Sequence, residues 1–413
     1  MMVSKPSSRG TNTSIGSDLG DDPWSWWRDR MPVTKHWAYF DHAAVAPISQ
    51  PAAEALRSFA DVAASHGDVH WMDWSNAVNQ LRDLTSDLIH CEKEEVTLVP
   101  NTTTGINLVA EGLDWKPGDN MVVPEGEFPS NLYPWLNQQS RGVEIRIVPR
   151  RDGRVEVADL MAQVDDRTRL ISVSWVGYAS GFRVDLGHLV KEAHSRGVLV
   201  FLDAIQGLGM YPLDMRSCDV DFVAADGHKW LLGPEGAGVA VIRQRHLNSL
   251  RCPTVGWKSV ENAHLFSGSK FELREDASRF EGGSLNQSGM IAFAASLQMF
   301  TAVSQRFGAD AIGNRVLERA QRLRSMLTQA GAKLLFGPWD ETPHASAITT
   351  FEVPGESPDD FRTRALDAGV VISCRGGGIR ASVHVYNDDA DLQRLTDLVA
   401  SSPAVSSSNP ARS

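Results

Sequence analysis

Long hydrophobic runs are missing from this chain of 413 residues. No apolar stretch approaches the ~18 residues that would cross a bilayer, so no membrane span is expected. The first 30 residues hold Ser, Gly and Thr but no apolar centre, so no secretory leader is expected there. Basic charge is also short. With 40 Lys and Arg against 51 Asp and Glu, the net charge is −11, which argues against nucleic acid or an anionic membrane as partner. Cysteine is scarce, and Cys91, Cys218, Cys252 and Cys374 show no C-x-x-C spacing. They read as free thiols in a reducing cytoplasm, not as a disulfide frame or a zinc site. The phosphate loop G-x-x-x-x-G-K-[ST] is absent, which argues against nucleotide binding. No internal repeat is visible.

The length suits one large and one smaller domain, and the composition is that of a globular protein. The most informative stretch is 198–243. An apolar run at 198–202 ends in Asp203. A second, 221–225, ends in Asp-Gly-His-Lys, which places Lys229 just past a strand end. A third, 237–242, follows a Gly-Pro-Glu-Gly turn. Short apolar runs bounded by turn residues suit buried strands. Asp203 and Lys229 are therefore expected at the ends of neighbouring strands, the edge where α/β sheets bind ligands.

Pyridoxal phosphate chemistry wants such a pair. A lysine amine forms a Schiff base with the cofactor aldehyde, and a carboxylate keeps the pyridine nitrogen protonated so that the ring accepts carbanion electrons. Lysine fits because a partly desolvated ammonium gives up its proton, which arginine does not. Further along, residues 95–99 read as a strand, and Pro100-Asn101-Thr102-Thr103-Thr104-Gly105 opens an apolar helical pattern. Hydroxyls and free N–H groups there form an anion site, a helix cap, or both. His66 and His70 are four apart, but Gly67 weakens the helix between them and no third ligand is near, so no metal is expected.

The motifs Asp-Ala-Ile-Gln at 203–206 and Gly-His-Lys-Trp at 227–230 resemble the class V branch of fold-type I pyridoxal phosphate enzymes. That branch holds cysteine desulfurases, selenocysteine lyases, isopenicillin N epimerase-like proteins and class V aminotransferases. The matching segments run from Tyr39 to about Leu398. The resemblance implies an α/β fold of fold-type I: a large domain with a mostly parallel seven-stranded sheet between helices, plus a small α+β C-terminal domain. The expected division is an N-terminal segment at 1–36, a large domain at 37–290, a small domain at 291–402 and a tail at 403–413.

The resemblance also implies roles. Lys229 bonds the cofactor, Asp203 meets the pyridine nitrogen, Gln206 lies near the ring hydroxyl, and His228 supports the phosphate or the lysine. Thr102 and Thr103 hold the phosphate, and Phe128 stacks on the ring. Ser284, in Glu-Gly-Gly-Ser, reaches the phosphate of a second subunit, so a homodimer with shared active sites is expected. Arg380 takes the substrate α-carboxylate, with Arg375 as a second candidate. Ala43 and Ala44 leave room for the substrate. The chain departs from the desulfurases at two of these places. Tyr178 stands where they carry Asn, and its phenol can still donate a hydrogen bond near the ring or substrate. Asp226 stands where they carry Ser. A carboxylate would repel a phosphate, so Asp226 is expected to point away and to have no cofactor role.

The implied chemistry acts on a small amino acid through an external aldimine, with Lys229 as general base. A desulfurase also needs a cysteine on a mobile loop. Cys374 is the one candidate near Arg380, and the longer loop that carries it in desulfurases is missing. An aminotransferase-like or lyase-like enzyme is therefore the first expectation, and a cysteine desulfurase or selenocysteine lyase the second. A catalytically silent partner protein is the third, and the set Thr102, Asp203, Gln206, Lys229 and Arg380 argues against it.

Overall fold

The run at 198–202 becomes a strand because both of its faces are buried. In a computed structural model of the chain, which describes residues 15–265, 271–337, 339 and 343–402, Val200 and Leu202 enter one apolar core while Phe201 enters another. The same alternation holds for Val223 and Ala225 against Phe222 and Ala224. Strands covered on both sides read as continuous apolar runs, as they do here. The expected tail at 403–413, and residues 1–14 of the N-terminal segment, lie outside the described residues.

The strands run β1 (Ala38–Tyr39), β2 (Val96–Val99), β3 (Asn120–Pro124), β4 (Glu144–Val148), β5 (Thr168–Ser174), β6 (Leu199–Asp203), β7 (Phe222–Asp226) and β8 (Gly238–Ile242). Then come β9 (Lys333–Leu334), β10 (Ile348–Glu352), β11 (Val370–Val371), β12 (Ser373–Arg375) and β13 (Gly378–Ser382). The large sheet has seven strands in the order β2-β8-β7-β6-β5-β3-β4. It is parallel apart from β8, which runs against both of its neighbours. This is the mostly parallel fold-type I sheet. The C-terminal ends of β2, β6 and β7 therefore share one edge, where Asp203 closes β6 and Asp226 closes β7.

The helix Thr102–Gly112 starts at that edge and packs on β7. Gly105 permits the approach, since a Cβ there would sit 2.8 Å from the Ala224 Cβ. The opposite face carries three long helices: Gln50–His66, Trp71–Ile89 and Gln287–Phe307. The last of these crosses the expected domain boundary at 290. A four-stranded antiparallel sheet, β12-β13-β10-β9, forms the C-terminal part. The N-terminal segment docks on it through Arg28, which bonds Asp391 at 2.7 Å and the Tyr386 carbonyl at 2.8 Å. Trp26 and Trp27 are buried, and Trp27 meets Phe300 at nearly a right angle, so these tryptophans serve packing. His66 and His70 come within 5.5 Å of each other, and among the described residues no group of three metal-ligating side chains forms.

Candidate active site

A cleft of about 290 Å³ opens at the edge shared by β2, β6 and β7. Its walls gather Thr102, Thr103, Phe128, Tyr178, Asp203, Gln206, His228, Lys229, Arg375, Arg380, Ala43 and Ala44, so twelve of the thirteen expected site residues share it. Ser284 is the exception. It is exposed and does not line this chain's own cleft.

Lys229 follows a closed turn in which Gly227 donates to the Ala237 carbonyl at 2.8 Å and accepts from Gly233 at 2.8 Å. A side chain at 227 would strike that Ala237 oxygen at 2.9 Å. The turn buries Lys229, and burial pushes its ammonium pKa below that of an ordinary lysine. Asp203 opposes the shift and Arg380 adds to it. The Nζ lies 5.5 Å from the centroid of the Phe128 ring. Phe128 is 43% exposed, so it is no core residue. Its ring presents a face to the cleft and an edge to Tyr178, with centroids 5.4 Å apart.

Asp203 is 2% exposed, and its only hydrogen-bond donor among the described residues is the Ile205 N–H at 3.1 Å. Burial pushes its carboxyl up, the Ile205 bond and Lys229 oppose this, and Glu127 adds to it. Glu127 was not anticipated from the sequence. It is buried, paired with Arg150 at 3.0 Å, and accepts from the Ser174 N–H at 3.1 Å. Ser174 is the register partner of Asp203, so two carboxylates flank one strand end. Gln206 donates to the Ala43 carbonyl at 3.0 Å and accepts from Trp230 Nε1 at 2.8 Å, which leaves one amide N–H over.

Asn101 is the cap of the helix Thr102–Gly112, accepting from the Thr104 N–H at 2.8 Å. The Thr102 hydroxyl is buried without a partner among the described residues, and the Thr103 hydroxyl bonds Ser130 at 2.8 Å. A buried orphan hydroxyl beside the free N–H groups of an 11-residue helix suits a phosphate. A buried carboxylate short of donors suits a protonated ring nitrogen, and a depressed lysine suits an aldehyde. The residues present fit pyridoxal phosphate.

Arg380 is 1% exposed on β13. It donates to the Tyr178 carbonyl at 2.8 Å and to Asp41 Oδ1 at 3.2 Å, while its Nε has no partner among the described residues. Asp41 also accepts from Ser373 at 2.6 Å. This internal counter-ion was not read from the sequence, although Asp41 directly precedes the His-Ala-Ala turn. Asp226 corrects an expectation. It does not point away from the cleft but lines it, with Oδ1 3.1 Å from His228 Nδ1. Cys374 is half-buried on β12, its Sγ 3.3 Å from the Pro358 carbonyl. None of the four cysteines lines the cleft. Burial raises every thiol pKa, that of Cys91 to about 12 and that of Cys218 to about 11.

The family described as aminotransferase class-V matches residues 38–395. A probable cysteine desulfurase of Methanothermobacter thermautotrophicus is 28% identical, covering 89% of this chain and 95% of that one. A cysteine desulfurase of Dickeya dadantii is 30% identical, covering 84% and 82%. The apo structure of the cysteine desulfurase from Thermococcus onnurineus NA1 superposes with a TM-score of 0.81 at 26% identity, covering 91% and 97%. The cleft and the extent of these matches lead to one assignment: this chain belongs to the class V aminotransferase family of fold-type I enzymes, whose cofactor is pyridoxal phosphate.

Proposed function

We propose that this chain releases sulfur from a cysteine-type amino acid by breaking its Cβ–S bond. Support for the substrate comes from the relatives, which are named cysteine desulfurases over more than four-fifths of the chain. They favour the second of the sequence expectations over an aminotransferase. The observation that carries the reaction type is the cleft itself. It brings a depressed lysine, a buried carboxylate and a buried arginine together without a thiol.

Each residue then has a task. Arg380 binds the substrate carboxylate, for which a guanidinium fork is well shaped. Lys229 takes the Cα proton, because its low pKa leaves a share of the amine unprotonated near neutrality. The bound cofactor supplies an electron sink for the charge left on Cα, and Asp203 holds that sink in its protonated form. Phe128 and Ala43 line the cleft that would take the substrate side chain.

With no thiol at hand, elimination is the balanced course. The electron pair of the Cα–H bond forms Cα=Cβ, the Cβ–S pair leaves with sulfur, and hydrolysis yields pyruvate and ammonia. A desulfurase that hands sulfur to its own cysteine gives alanine instead. The test is product analysis with L-cysteine and L-cystine. Pyruvate with sulfide or persulfide, kept in Cys374→Ser, is expected. Alanine that disappears in Cys374→Ser would restore the desulfurase with a protein acceptor. Amino-group transfer to a keto acid without sulfur release would restore the aminotransferase.

A further inference from the structure

Asp226 is the acid that electrostatics placed outside the site and the structure places inside it. It is 4% exposed and closes β7 at the edge where the helix Thr102–Gly112 begins. Gly105 abuts Ala224, so Asp226, two residues further along β7, lies level with the helix start that carries Thr102. An acid at that spot opposes phosphate unless a cation stands between them. His228 is such a group when both of its ring nitrogens carry protons. Its Nδ1 is 3.1 Å from Asp226 Oδ1, an ion-pair distance off the line of a hydrogen bond, so both atoms are buried without a hydrogen-bonding partner. The ring's Nε2 makes no hydrogen bond among the described residues.

We propose that Asp226 positions His228 as the cationic anchor for the cofactor phosphate. This rests on the cofactor assignment above. With one acceptor at each ring nitrogen, only a ring that carries both protons donates to both. Asp226 thus acts through His228, much as a carboxylate behind a metal-bound histidine fixes its ring. The other cleft charges have separate work: Lys229 and Asp203 meet the reactive end, and Arg380 is paired with Asp41. The pair replaces the hydroxyl expected at 226 with a two-residue charge device.

The experiment titrates the apo-protein with pyridoxal phosphate and, separately, with pyridoxal, which lacks the phosphate. The proteins are wild type, Asp226→Asn, His228→Asn and the double variant. Each single variant is expected to weaken pyridoxal phosphate binding by about tenfold, the usual scale of one charge-assisted contact. Pyridoxal binding should stay within about twofold. In the His228→Asn background, Asp226→Asn should tighten pyridoxal phosphate binding, because the carboxylate then faces phosphate with no cation between. Tighter or unchanged binding in Asp226→Asn alone overturns the proposal. So does an equal loss with both ligands, which a folding defect would also give, and so do losses that add in the double variant. A wild type that takes up no pyridoxal phosphate sinks the cofactor assignment and this proposal together.

Discussion

The two sides of the cleft are built differently. On the side of the large sheet, three of the groups that would meet the cofactor are short of protein partners among the described residues. The Thr102 hydroxyl is an orphan, Asp203 has one donor, and Lys229 is buried and depressed. On the side of the β12–β13 hairpin, the groups are already engaged. Arg380 bonds Asp41 and the Tyr178 carbonyl, and Cys374 leans on the Pro358 carbonyl. Unpaired buried polar groups cost stability, so a fold keeps them where a ligand repays the cost. The sheet side is made for a resident cofactor. The hairpin side holds its arginine against an internal acid that a substrate carboxylate must displace or share.

The sharpest way to break this contrast is at Lys229. Lys229→Ala should remove more than about a thousandfold of the activity, because both the covalent link and the base are lost. Activity and cofactor absorbance checks that. Next comes the shell behind the hairpin. His42 is fully buried, bonding the Ser382 carbonyl at 2.7 Å and Tyr386 at 2.5 Å, and burial pushes its pKa from 6.5 down to about 4. Between those values the unfolded chain takes up a proton that the folded chain refuses. Its stability contribution is therefore complete above about pH 6.5 and is lost as the pH falls toward 4, by about 3 kcal/mol in all. Denaturant unfolding of the apo-protein at pH 7.5 and 5 should show the drop, and His42→Asn should reduce it, the remainder coming from His384, which burial pushes down in the same direction.

A smaller effect is expected at Arg380. Arg380→Lys should raise the substrate KM by roughly tenfold to thirtyfold, since an ammonium cannot replace a bidentate fork. Cofactor affinity should not change. If cofactor affinity falls as well, the two sides are not separable. The smallest effect is at Cys374. Cys374→Ser should leave sulfur release within about twofold, as expected for a half-buried substitution outside the cleft.

The sheet side was also the more legible one. Residues 198–202 and 221–225 could be read as strands because burial on both faces leaves no polar alternation, and their last residues fall at the ligand edge. The hairpin side was harder. Residues 370–375 hold two short strands in different sheets: β11 pairs with β1, and β12 pairs with β13. The helix Trp71–Ile89 went unread, since its first turns expose Trp71 and Met72 and its buried residues begin only at Val78. Asp226 was misplaced by weighing a carboxylate against a phosphate alone. Its partner stands two residues further along, and a turn that brings Asp226 and His228 within 3.1 Å is invisible to pairwise reasoning. Asp41 and Glu127 escaped for a related reason. Each acts through a residue far away in sequence, Arg380 and Arg150.

The most direct test of the account is to load the protein with pyridoxal phosphate, reduce it with borohydride and map the tagged peptide by mass spectrometry. The pyridoxyl group should sit on Lys229, and the tag should be lost in Lys229→Ala. A tag on another lysine, such as Lys258 outside this cleft, with Lys229 unmodified, would contradict it.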